Sequence, residues 1–243
     1  MPSRPETLQT AEQLSQEFGN RFLLLSQSWT QPYVEAFRRA TPADEATLLP
    51  FWQATEKLGR LAMQKATGVM LPQLNQNNHH TPALAIAIPR GAYPFLYGIR
   101  QYSPHIPFII TNDGGNKNPI KPLIPEAVQP TSVGRLLLID PVIDTGETLR
   151  RTIGGLNQRG IVADHVIALG VIAHSPTVRS LLEQYPALHI VTADIEDSWI
   201  PAPDGNGRWL AGFGDIGANV QAAIIRHPAL GKHMKEPGLY TAQ

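Results

Sequence analysis

The chain has 243 residues, 42% of them hydrophobic, with 20 Lys and Arg balancing 20 Asp and Glu and no cysteine. That is ordinary composition for a globular protein with a sizeable core. The missing cysteine excludes disulfides, thiolate metal sites and a cysteine nucleophile. The balanced charge leaves no overall positive field to condense on nucleic acid or an anionic membrane, so no nucleic-acid partner and no membrane partner are expected. The amino terminus is polar, and no run approaches the roughly 18 apolar residues of a membrane span. The expected location is cytoplasmic.

In chain order, apolar residues first recur at helical spacing: Phe18, Phe22 and Leu25, then Leu48, Phe51, Trp52, Thr55 and Leu58. Residues 1–75 therefore read as a helical amino-terminal extension. The polar stretch QLNQNNHHT (73–81) separates it from a region where the period changes. There LAIAI (84–88), FIIT (108–111), RLLLID (135–140), HVIALGVIA (165–173) and HIVTADI (189–195) are apolar runs of strand length. Helical stretches are predicted between several of them, over 92–102, 146–159 and 176–185. Alternation of near-continuous apolar strands with helices is the signature of a parallel sheet covered on both faces, so the fold class is α/β. Residues 112–130, rich in Gly, Asn, Lys and Pro, read as an exposed excursion.

The stretch LLLIDPVIDTGETL (136–149) carries the chemistry. If 136–139 is a central strand, Asp140 lies at its carboxyl end, where open α/β sheets place ligands. A helix should begin near Thr145, bury Leu149, Ile153 and Leu156, and stop at Gly160. A tight Asp-Thr-Gly turn entering a helix offers free N–H groups, the hydroxyls of Thr145 and Thr148, and the positive end of the helix dipole, which suits a phosphate. Asp140 and Asp144 would repel that phosphate unless they face sugar hydroxyls or a divalent cation. The plainer alternative makes Thr145 a helix cap, Asp144 a turn former and Asp140 a strand-end residue satisfied by water.

LLLIDPVIDTGETL resembles the phosphoribosyl pyrophosphate loop of the type I phosphoribosyltransferases, and Asp140-Pro141 resembles the uracil phosphoribosyltransferase branch. LAGFGDIGANV (210–220) is similar to that branch's base-holding stretch, and IPRGAYP (88–94) to its pyrophosphate loop. The resemblance covers roughly residues 84–220. It implies a parallel sheet flanked by helices in one domain, with the helical extension over 1–75, a core over 82–226 and a hood over the base site at about 194–216.

It also implies roles. Asp140 and Asp144 would engage the ribose, directly or through magnesium, with no metal held directly by the protein. Pro141, Val142, Ile143, Thr145, Gly146, Glu147 and Thr148 would shape the loop around the 5′-phosphate. Arg90 would contact the pyrophosphate and Gly91 let the backbone approach it. Trp209, Gly214, Asp215 and Ile216 would hold the base, with Asp215 also at the sugar. The plain readings are packing for Trp209, a helix cap for Asp215 and an exposed strand-end charge for Arg90.

Three departures stand out. Asp144 replaces an uncharged residue, Ile216 a small alanine, and Thr111 the family's arginine; Lys117 or Lys121 could stand in for that cation, although a lysine does not reproduce an arginine's fork. The implied activity is phosphoribosyl transfer from 5-phosphoribosyl 1-pyrophosphate to uracil or a related base, giving UMP and pyrophosphate in pyrimidine salvage. The alternatives are a regulatory sugar-phosphate binder and a transferase with another acceptor. A homodimer or higher homo-oligomer is implied by the same resemblance. The histidines, His174 among them, show no metal-ligand spacing and are expected at surface or packing positions.

Overall fold

In this computed structural model the described residues are 4–25, 28–69, 83–88, 91–104, 106, 108–110, 133–201, 208–210, 215–232 and 239–241. In chain order, helix α1 (Arg4–Phe18) leads through a 3-10 turn into strand β1 (Phe22–Leu24), followed by α2 (Gln31–Arg39) and α3 (Glu45–Val69). Strand β2 (Ala83–Ala87), helix α4 (Ala92–Tyr102) and strand β3 (Phe108–Ile110) come next. Then β4 (Val133–Ile139), β5 (Val142–Ile143), α5 (Glu147–Gln158), β6 (Ala163–Leu169), β7 (Ile172–His174), α6 (Ser175–Gln184), β8 (Leu188–Thr192) and β9 (Asp194–Glu196) alternate. The chain closes with β10 (Trp199–Pro201), β11 (Arg208–Leu210), α7 (Ile216–Arg226), α8 (Pro228–Lys232) and β12 (Leu239–Thr241).

Seven strands form one parallel sheet in the order β1-β8-β6-β4-β2-β3-β12. The period-two alternation of a strand sends Ala85, Ala87, Leu137, Ile139, Ile167 and Leu169 to one core, with Leu48, Phe51, Phe95 and Ile99 of α3 and α4. Leu84, Ile86, Leu136, Leu138 and Ile190 enter the other, with Leu149, Ile153, Leu156 and Leu181 of α5 and α6. Burial on both faces is why these runs read as unbroken apolar stretches. Helices α3 and α4 touch backbone to backbone: a Cβ added at Gly98 would lie 1.8 Å from the Glu56 carbonyl oxygen.

The helical reading of the first segment needs one correction. Phe22 does not continue a helical face. It starts β1, pairs with Ile190 of β8, and is buried at the sheet edge. Its three-residue strand is too short to show a period of its own, and its pairing partner is far along the chain. His79, His80, Thr111, Lys117, Lys121 and the expected 112–130 excursion lie outside the described residues.

Candidate functional site

The sheet changes direction at β2, which has β3 on one side and β4 on the other. Ligands of open α/β sheets bind in the crevice outside the carboxyl ends of strands at such a switch point. Asp140 follows β4 there, and Gly91 follows β2.

The strand run ends without an ordinary loop because the chain breaks and resumes. β4, β6 and β8 each stop and continue as β5, β7 and β9, which form a second, three-stranded parallel sheet. At the break the Asp140 N–H donates to the Leu169 carbonyl at 3.0 Å, and the Pro141 carbonyl accepts from Val171 and Ile172 at 2.9 and 3.1 Å. The backbone is thus satisfied while the side chain of Asp140 is released from the ladder. Its carboxylate accepts the Val142 N–H at 3.3 Å. Desolvation raises the Asp140 pKa to about 7; the Val142 N–H opposes this, and the nearby Asp144 charge adds to it. An acid held in that state gains most when a cationic or hydrogen-bond-donating ligand arrives.

Beyond β5 the chain turns through Asp144, Thr145 and Gly146. Gly146 has φ 72° and sits at the N-cap of α5, so the helix starts at Glu147 rather than near Thr145. A side chain here would be strained by the left-handed backbone, and its Cβ would lie 2.9 Å from Thr177 Cγ2 and 3.0 Å from Leu181 Cδ1. Thr145 Oγ1 accepts the Glu147 N–H at 3.3 Å, while the Arg150 guanidinium binds the Thr145 carbonyl at 2.8 Å, Gln184 at 2.9 Å and Ser180 at 3.1 Å. The loop is therefore tied to α6 through its carbonyl side. Glu147 is drawn along its own helix by an ion pair with Arg151 at 2.7 Å. Thr145 is exposed and Thr148 partly so. The hydroxyl of Thr148 and the N–H groups of the first helical turn are suited to an anion.

A third segment reaches the same point from the carboxyl-terminal end. A Cβ added at Gly91 would lie 2.9 Å from Ile216 Cγ2 and 3.9 Å from the Pro141 ring. Three segments about 50 and 75 residues apart in sequence thus meet at one point. Asp215, exposed, caps α7 by accepting the Ala218 N–H at 3.0 Å, as its plain reading expected. Ile216 is buried against Gly91, and a cleft of about 490 Å³ runs along α7 between Tyr93 and Asp215. Trp209 lies in β11, its backbone paired with Ile200. Arg90 and Gly214 lie outside the described residues.

Trp199 has no role in the sequence reading, and His174 takes a packing position beside it. The Trp199 indole N–H donates to the Asp144 carboxylate. His174 stacks on the Trp199 ring, with centroids 3.9 Å apart and planes at 25°, and is 2% exposed. Its Nδ1 lies 3.0 Å from Thr177 Oγ1, and burial lowers its pKa, against the opposing charges of Asp144, Asp197 and Glu196. The available signal was positional: His174 ends β7 beside β5, at the same sheet edge as Asp140. No group of three or more His, Cys, Asp or Glu suited to a metal occurs among the described residues.

Fold and sequence together define a type I phosphoribosyltransferase: a parallel sheet flanked by helices, with an acid-bearing turn at its switch point. The family model described as uracil phosphoribosyltransferase matches residues 35–220, and the chain belongs to that family. A uracil phosphoribosyltransferase of Synechococcus elongatus is 34% identical over 94 residues, covering 39% of this chain and 41% of that protein. One from Nostoc sp. is 24% identical over 148 residues, 59% of this chain and 66% of that one. The chain thus spans less than half the length of the first of these relatives. Among solved structures, the AQ2163 protein from Aquifex aeolicus superposes with a TM-score of 0.61 at 15% identity, over 83% of this chain and 98% of that one. No helix among the described residues is long and apolar enough to cross a membrane.

Proposed function

We propose that the protein transfers the phosphoribosyl group of 5-phosphoribosyl 1-pyrophosphate to a nitrogen of uracil or a related pyrimidine, releasing pyrophosphate, as a step of pyrimidine salvage. The observation that carries this reading is the meeting of Gly91, Pro141 and Ile216 beside the 144–148 turn. It sets side by side the segments that resemble the family's pyrophosphate, sugar and base stretches. A transition state resembling an oxocarbenium ion asks little covalent chemistry of the protein. It needs carboxylates near the electron-poor sugar, donors on the phosphate and exclusion of water.

Asp140 takes the ribose side, because positive charge developing there favours its ionised form over the protonated one that burial promotes. Asp144 joins it across the turn. Thr145, Gly146, Glu147 and Thr148 offer main-chain and hydroxyl donors to the 5′-phosphate, Arg90 would supply its charge to the pyrophosphate, and Gly91 would let the backbone approach it. The backbone of Trp209, Gly214, Asp215 and Ile216 holds the base. Magnesium, carried by the activated sugar, neutralises the departing pyrophosphate when bound. A homodimer or larger assembly belongs to the same proposal, and sedimentation of the purified protein tests it.

A second reading, a sugar-phosphate-binding regulator without turnover, is favoured by the packing of Ile216 over Gly91. Incubating the protein with 5-phosphoribosyl 1-pyrophosphate, MgCl2 and a panel of pyrimidines, purines and amines decides. UMP and pyrophosphate from uracil support the transferase. Calorimetric binding of the activated sugar with no product from any acceptor selects the regulator, and product from another acceptor class moves the assignment there.

A further inference from the structure

The turn that carries Asp144 is part of a closed ring of contacts. Asp144 accepts the indole N–H of Trp199, and Trp199 stacks on the buried ring of His174. His174 meets the Thr177 hydroxyl at 3.0 Å, and Thr177 in turn backs the Gly146 position, closing the ring on the residue two places after Asp144. An aromatic plane fixed on one face by a second ring, itself held by a hydroxyl, has little freedom to reorient. Its N–H is therefore a preset donor, and a carboxylate bound to it is held in one direction.

Trp199 also belongs to another element. It opens β10, pairs with Leu210 of β11, and is followed by the pairing of Ile200 with Trp209. Strand β11 leads to the segment that ends at Asp215 and Ile216. One edge of this hairpin therefore grips the acid of the sugar turn, and the other continues into the acceptor side.

We infer that Trp199 is the positioning residue for the Asp144 carboxylate, and that through it the β10–β11 hairpin aims the sugar turn. The inference rests on the transferase reading above. Trp199 touches no reacting atom; it acts through Asp144. His174 acts one step further back, as the surface against which the indole is set.

The test is a double-mutant cycle on the full chain. Trp199→Phe keeps an aromatic ring against His174 and removes only the donor. A hydrogen bond to a charged group is worth enough to lower kcat about tenfold when lost. KM for uracil should stay within about twofold, because the acceptor site keeps its own contacts. Since the two residues act as a unit, Trp199→Phe/Asp144→Asn should lose no more than Asp144→Asn alone. Independently of turnover, the Trp199 indole resonance in a spectrum of 15N-tryptophan-labelled protein should shift on Asp144→Asn while those of Trp29 and Trp52 stay in place. An active wild type with an unaffected Trp199→Phe, or losses that multiply in the double mutant, overturns the inference and leaves the transferase standing. A folded wild type that makes no product from any acceptor overturns both.

Discussion

Two pairs of acids sit at the carboxyl ends of strand runs that flank the β6–β7 run, and the protein treats them differently. Asp194 and Glu196 on β9 are buried and share Arg38 of α2, whose guanidinium nitrogens lie 2.7 and 3.2 Å from the two carboxylates. Glu196 also accepts the N–H groups of Asp197 and Ser198 and the Ser198 hydroxyl. Asp140, after β4, makes no ion pair among the described residues and accepts one backbone N–H. Asp144 receives a neutral indole donor. The acids that pin the fold share a guanidinium, whereas among the described residues Asp140 is held by a backbone N–H. Burial raises the pKa of both Asp194 and Asp140, but only for Asp194 does an adjacent guanidinium pull back.

Breaking the first pair should cost the most. Arg38→Ala leaves two buried carboxylates without their cation and should destabilise the protein by about 3 kcal/mol. Urea unfolding measures this, and adding Asp194→Asn and Glu196→Gln to Arg38→Ala should restore part of the loss. Asp140→Asn should do the reverse: an unfolding midpoint at pH 7 that is not lowered, with kcat down about a hundredfold or more. Equal turnover would remove Asp140 from the chemistry.

Gly146→Ala lies between these extremes. The left-handed backbone and the contact with Thr177 should cost about 1–2 kcal/mol of stability. Calorimetry should show affinity for 5-phosphoribosyl 1-pyrophosphate falling with it, since the turn cannot keep its shape.

The pH dependence tests the raised pKa of Asp140 directly, and its sign separates the buried acids from the buried histidines. The folded protein holds the Asp140 proton up to about pH 7, whereas the unfolded chain releases it near 3.8. Between these values the native state binds the extra proton, so this contribution to stability falls as pH rises. Asp194 acts in the same direction. His174 and His189, with lowered pKa values, act oppositely: the unfolded chain takes up their protons first, so stability falls as pH drops below 6.5. Unfolding free energies of wild type and Asp140→Asn, compared from pH 4.5 to 7.5, cancel those terms. The wild type should lose stability relative to the variant across that range, and parallel curves would contradict the raised pKa.

Much of the site was legible because its signals are local. The stripe Leu149, Ile153, Leu156 is buried as its spacing required, α4 spans 92–102, and α5 stops before Gly160, which has φ 73°. Asp140 lies at the end of its strand for the same reason: a run of aliphatics followed by an acid is a contiguous pattern. The break at Asp140-Pro141 was not legible, since it depends on hydrogen bonds to residues 169, 171 and 172 across the sheet. Nor was Trp199, which looks like any packing aromatic until the fold brings it to a partner 55 residues away along the chain.

Alone, the sequence determined the alternation of strand and helix, the α/β class and the acid-bearing turn, because periodicity and turn chemistry act over a few neighbouring residues. Tertiary structure decided which short segments joined the sheet edge, which acids received a cation, and which aromatic turned its N–H toward Asp144. Those outcomes follow from contacts between residues far apart along the chain. Their strength lies in burial and exclusion of water, which no single stretch of residues carries by itself.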